Sequence, residues 1–234
     1  MQLTIIRDDA MTGKANMEKD EWLLAQGAPA LRFYSWEPSC VSVGYFQNIE
    51  RDIDTEFCRQ NNIDIVRRPT GGRAVLHDRE LTYSVVLPEK YLPAGVIASY
   101  KFIAGMFVNA LKSFGITAEV KGPEGRGGRS GVCFAEPSAY EISVDGKKLI
   151  GSAQVRRNGT VLQHGSILLD VDYEKHSKCM KGRSFIQSEK LKTMMIGLYS
   201  LAVSRPSSAA VADSIIKSFL LDVNAFGIKP LSSR

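Results

Sequence analysis

No apolar run in this chain approaches the roughly 18 residues that a bilayer-spanning helix needs, and the opening stretch, MQLTIIRDDAMTGKANMEKD, lacks the apolar centre of a secretory signal. Cytoplasmic residence away from membranes is therefore the expectation. Cysteine is scarce. Cys40, Cys58, Cys133 and Cys179 are scattered without a CxxC pair, which excludes a zinc knuckle and, in a reducing compartment, gives no reason to expect disulfides. The three histidines form neither HxxxH nor HExxH, so no metal and no bound cofactor are expected. There is no internal repeat, no low-complexity tract and no GxxxxGKS/T phosphate loop, and the glycines of GPEGRGGRSG (122–131) miss the GxGxxG spacing. A net charge of +5 invites a nucleic-acid reading, but the basic residues are dispersed and no zinc finger, RNP signature or basic helix accompanies them. An acidic protein partner suits this charge instead.

What is present is the composition of a globular protein, 44% hydrophobic and 24% charged over 234 residues. That length fits one domain over 1–234, with a motif-bearing core at about 27–213 and a short helical C-terminal segment. Runs rich in β-branched and aromatic residues predict strands at 31–35, 40–44, 63–68, 74–77 and 81–87, with a helix at 53–60 between the second and third. Ile103, Phe107, Ala110, Leu111 and Phe114 share one face at helical spacing, and Gly115 is placed to end that helix. Residues 140–144 and 149–155 flank Asp145-Gly146, a type I′ hairpin signature. A further strand covers 160–170, and the pattern then turns helical, with Val211, Ile215 and Phe219 four apart. Strands and helices interleave without a βαβ period. A mixed α/β (α+β) fold is expected, with a largely antiparallel sheet packed by helices.

Three segments carry chemistry. In RRPTGGRAVLHD (67–78), Gly71 and Gly72 let the backbone bend and bring N–H groups close to a ligand oxygen, while Arg68 and Arg73 add positive charge around Ala74 and His77 closes the segment. The simpler reading is a tight turn with surface arginines. Cys133, in SGVCFAEPSAYE, follows a glycine-rich loop and precedes the hairpin, which sets it apart from a packing cysteine and makes it the candidate nucleophile. Cys40 and Cys58 read as packing residues, and Cys179, in a charged stretch, as exposed. Lys148, in VDGKKLIGSAQ, is the candidate cation that would favour the thiolate; Lys147 beside it faces the other way. Gly151, Ser152 and Ala153 are small residues in strand context, where something bulky approaches the backbone. His164, next to Gly165 in LQHGSILL, is either a rival base for Cys133 or a structural hydrogen-bonding group.

Taken in order, LRFYSWEPSCVSVGYFQ, RRPTGGRAVLHDRELTYSVV, YEISVDGKKLIGSAQ and LQHGSILLD resemble the biotin/lipoate protein ligase and octanoyltransferase superfamily. The CFxxPSxYE context of Cys133 is similar to that of its Gram-positive octanoyltransferase branch. The resemblance implies a biotinyl/lipoyl ligase-like fold and a reaction without a cofactor. Cys133 would take an octanoyl group from octanoyl-acyl carrier protein as a thioester, with its thiol made acidic by Lys148. It would then pass the group to a lysine of a lipoyl domain such as the glycine-cleavage H protein. The resemblance also implies that Arg68, Gly71, Gly72, Arg73, Ala74, His77, Gly151, Ser152, Ala153, His164 and Gly165 line the acyl pocket. A monomer suffices for this. Three alternatives stay open. An ATP-dependent lipoate–protein ligase usually shows a third glycine where this chain has Arg73, commonly uses an added C-terminal domain for which the stretch after Asp170 is short, and needs no Cys133. A lipoyl-domain amidotransferase would use the same thioester chemistry. A non-catalytic lipoyl-domain binder would be indifferent to Cys133→Ser.

Overall fold

Alternation of apolar and small polar residues along the longest strands makes a two-faced sheet, and each face takes a different cover. The computed structural model describes residues 2–122, 141–224 and 229–230. The elements run β1 (Gln2–Arg7), α1 (Gly13–Gln26), β2 (Ala30–Tyr34), β3 (Cys40–Val43), α2 (Ile49–Asp52), α3 (Thr55–Gln60), β4 (Asp64–Arg67), β5 (Val75–His77) and β6 (Glu80–Pro88). They continue with α4 (Val96–Leu111), β7 (Glu119–Lys121), β8 (Glu141–Val144), β9 (Lys147–Arg157), β10 (Thr160–Leu168), α5 (Tyr173–Cys179), α6 (Ser188–Met194), α7 (Ser208–Asn224) and β11 (Lys229–Pro230). Eight strands form one sheet in the order β11-β1-β2-β6-β10-β9-β8-β7, and β4-β3-β5 form a second. Among the described residues, only β11–β1 and β1–β2 pair parallel in the large sheet. The fold is thus the mixed, largely antiparallel type that the sequence predicts.

On one face, Tyr83, Val85 and Leu87 of β6 and Val161 and Ile167 of β10 are buried beneath Ile103, Phe107 and Ala110 of α4 and Val211, Ile215 and Phe219 of α7. On the other face, α1 sets Leu23 and Leu24 against Val86 and Leu162. The N-terminal half of α1 brings Met17 to Tyr34, Trp36 and Cys40. The small sheet has its own core, in which Val41, Val43, Ile63 and Leu76 meet Ile53, Cys58, Cys179 and Met180. Among the described residues, no helix is long and apolar enough to cross a membrane.

Several expectations need adjusting. The helix anticipated at 53–60 starts at Thr55, because Asp54 caps it by accepting from Phe57 N at 2.9 Å, while Ile53 closes the short α2 before it. Strands β1 and β7 and helix α1 were not anticipated. Cys179 is buried rather than exposed. It faces Cys58 from α5, and the charges around it, Lys178 and Lys181, point outward. The hairpin turn has the positive φ pair of type I′, +48° at Asp145 and +77° at Gly146. Residue 140, the glycine-rich segment from 123 onward and Cys133 lie outside the described residues.

Candidate active site

Pairing across the large sheet sets Tyr34 opposite Thr82, Thr82 opposite Ser166, Ser166 opposite Gly151 and Gly151 opposite Glu141. Paired residues project to the same side, so this row forms a floor of mostly small side chains. Over it stand Ser42 and His77 from the small sheet, and His176, Leu191, Met194 and Met195 from the α5–α6 region. The cavity measures about 430 Å³. Met17, Tyr34 and Trp36 wall it at the β2 end, and Glu141 and Lys148 lie at the β8–β9 end.

Lys148 reaches the cavity because β9 bulges. The register runs Ile142↔Ile150 and then Ser143↔Lys148, so Leu149 is an extra residue. That changes the parity of the strand, and Lys148 joins Gly151 on the cavity side while Leu149 and Ile150 both enter the apolar core. The Lys148 Nζ lies 2.8 Å from Glu141 Oε1. Gly151 leaves the path open: a Cβ there would meet Lys148 Nζ at 2.7 Å and overlap Cε. A side chain at Gly165 would meet Ser152 Oγ and Tyr83 Cε1 at 2.9 Å, which explains a second glycine on the neighbouring strand.

The 68–74 loop wraps one side of the cavity. Arg68 is buried and meets no carboxylate among the described residues. Its guanidinium donates to the carbonyls of Ser42 (2.9 Å), Gly71 (2.8 Å) and Arg73 (2.7 Å), and burial pulls its pKa down to about 10. Its charge therefore braces the turn. Gly72 has φ +94°, and a Cβ there would lie 2.8 Å from Arg68 Nη2. Arg73 is exposed and lines the cavity with Gly72, Ala74 and His77, whereas Gly71 contributes only its carbonyl to Arg68.

Two buried histidines are fully engaged. His77 meets Glu80 Oε1 through Nδ1 and Ser42 Oγ through Nε2, each at 2.7 Å, and stacks on Trp36 at 4.2 Å. The carboxylate places the proton on Nδ1 and leaves Nε2 to accept from Ser42. Glu80 Oε1 also accepts from Thr82 and Ser166. His164 meets Asp20 Oδ2 at 3.0 Å and Thr70 Oγ1 at 2.7 Å. Asp20 in turn accepts from Arg32 Nη1 (2.7 Å) and Tyr34 OH (2.9 Å). Burial works to raise the Asp20 carboxyl, but the hydrogen bond from His164 and the charge of Arg32 hold it below its usual range. Burial lowers His164 against the pull of Asp20, so it stands neutral and structural. Ala153 and Gly165 complete the wall beside it.

His176 was missed in the sequence. It lines the cavity with Nδ1 unpartnered among the described residues, and burial, aided by the charge of Lys148, lowers its pKa to about 4. Asp20, Arg32 and Tyr34 were missed with it. No described cysteine lines the cavity. Cys40, Cys58 and Cys179 sit in the apolar cores, and burial pushes the Cys40 thiol far above its usual value.

The profile of the lipoyl protein ligase A/B catalytic domain matches residues 12–220. The chain belongs to that family. Among its relatives, octanoyltransferase LipM of Clostridioides difficile is 42% identical over 193 residues, which is 78% of this chain and 71% of that protein. Octanoyltransferase LipM of Kyrpidia tusciae is 39% identical over 229 residues, 89% of this chain and 84% of that one. The bi-partite lipoate protein ligase of Thermoplasma acidophilum superposes with a TM-score of 0.78 over 100% of this chain and 87% of its own, at 22% identity. That likeness shows the ligase-family fold.

Proposed function

We propose that this chain is a protein octanoyltransferase of lipoate biosynthesis that carries its acyl group on Cys133. The observation that carries the reading is the placement of Lys148. An ammonium lies at the end of a mainly apolar cavity of acyl size, on the hairpin that follows Cys133 in sequence, in a chain whose relatives include octanoyltransferases. The Cys133 thiolate, favoured by Lys148, attacks the carbonyl of octanoyl-acyl carrier protein, and the tetrahedral intermediate expels the carrier thiolate, which takes a proton. A neutral lysine amine of a lipoyl domain, such as that of the H protein, then attacks the enzyme thioester. An amide forms, the Cys133 thiolate leaves, and the surplus amine proton passes to solvent. Gly72, Arg73, Ala74, Gly151, Ala153 and Gly165 line the acyl site, with Ser152 and His77 at its walls and Arg68, Gly71 and His164 bracing it. Among the described residues, the N–H groups of Gly72 and Arg73 donate to no backbone carbonyl, which suits them to a developing oxyanion.

Intact-protein mass spectrometry after mixing with octanoyl-acyl carrier protein, without ATP, tests this. The expected octanoyl adduct is absent in Cys133→Ser and is cleared by H protein. Absence of an adduct, with a lipoyl domain modified only when lipoate and ATP are supplied, would make the chain a ligase instead. Loading from an acylated H protein but not from the carrier would make it an amidotransferase.

A further inference from the structure

Tyr45 and Phe46 follow β3 and pack edge to face, 5.0 Å between ring centroids, yet they are 51% and 83% exposed. Their turn is firmly held. Arg67 Nη1 donates to the carbonyls of Gly44, Tyr45 and Gln47 at 2.8–2.9 Å. The Gln47 side chain accepts from Gly44 N at 3.0 Å and donates to Ser184 Oγ at 3.2 Å. The turn is also tied to the 68–74 loop that wraps the cavity, since Tyr45 N donates to Thr70 O at 2.9 Å. On the segment between α5 and α6, Phe185 is 50% exposed, and its neighbour Ile186 lines the cavity. Arg73, Lys181 and Arg183 are exposed on these segments and meet no carboxylate among the described residues; Arg51 is engaged by Asp52, and Glu50 is the opposing charge. Rigid exposed aromatics beside uncompensated cations, at the rim of a reactive cavity, have the make-up of an interface hot spot.

We propose that Tyr45, Phe46 and Phe185, flanked by Arg73, Lys181 and Arg183, dock the acyl acceptor, an acidic domain presenting a lysine. The inference rests on the acyl-transfer reading for the existence of that acceptor. Reach selects the acceptor over the donor. A lysine carries its amine on a four-carbon stem, so its domain must sit against the rim, whereas a carrier protein delivers its thioester on a far longer prosthetic arm. The positive rim supplies the electrostatic complement to an acidic face.

The test is titration of an unacylated lipoyl domain against the full chain, with Phe46→Ala and, separately, Arg183→Glu. Both side chains are exposed, so circular dichroism and melting should match the parent. Each substitution is expected to weaken binding by about tenfold, and added salt should weaken parent binding more than that of Arg183→Glu. Octanoyl loading of Cys133 from the carrier should proceed at the parent rate. Unchanged affinity in both variants would overturn the proposal, as would a loss of loading with acceptor binding intact, which would assign the platform to the carrier. Because the titration needs no thioester, a missing Cys133 adduct in the parent sinks the transfer mechanism alone and leaves the docking result to stand by itself.

Discussion

Lys148 and Glu141 form a half-exposed ion pair, and its contribution to stability is small. Its consequence is chemical. Removing the ammonium in Lys148→Ala should slow iodoacetamide alkylation of Cys133 at pH 7 by about tenfold, one unit of thiol pKa. Removing the competing carboxylate in Glu141→Gln should speed it, because the whole ammonium charge is then available to the thiolate. Equal rates in all three proteins would detach Lys148 from the thiol. Gly151→Ala examines the same geometry from the neighbouring position. The added methyl meets only the flexible end of Lys148, so melting should hold or rise slightly, while octanoyl loading falls as the ammonium is displaced. A collapse of stability would show that Gly151 serves packing instead.

At the scale of elements, α1 and α5 bring groups to the cavity that the hydrophobic pattern hides. The buried face of α1 carries Asn16 and Asp20 beside Met17, Leu23 and Leu24, so its periodicity reads weakly and the helix escapes notice. Those polar groups complete a network around the fully buried Arg32, which bonds Asp8, Asn16 and Asp20. Asp20→Ala should cost about 3–5 kcal/mol in denaturant unfolding, the range for stranding a buried charge; a loss below about 1 kcal/mol, typical of a surface pair, would show that Arg32 finds water. For α5, His176 has a folded pKa of about 4 against roughly 6.5 unfolded. Protonation thus favours the unfolded chain. The stability held above pH 6.5 is lost as pH falls toward 4, with His164 adding in the same direction. Thermal melts from pH 7 to pH 4 should fall less steeply for His176→Gln, whereas parallel curves would refute the assignment. The carboxylates lowered by their partners, Asp8, Asp20 and Asp78, act below this window.

For the molecule as a whole, the large sheet separates support from chemistry. α4 and α7 cover one face, and the cavity opens on the other. Phe219→Ala, at a fully buried site against Phe107, should cost about 3–5 kcal/mol through lost burial and a residual cavity. Octanoyl loading well below the lowered melting temperature should match the parent, and a parallel loss of loading would show that the two faces are coupled. Strands β2–β6 and β8–β10, the Asp145-Gly146 turn, the α4 and α7 faces and the family were determined by the sequence alone, because they rest on local periodicity, turn chemistry and contiguous motifs. Tertiary structure decided the rest. It bulged β9 so that Lys148 faces the cavity, turned Arg68 inward to brace a loop, buried Cys179, and joined Asp20 to His164 across 144 positions. Each of those depends on which strands pair and in what register, and residues far apart in sequence carry no local signal of it.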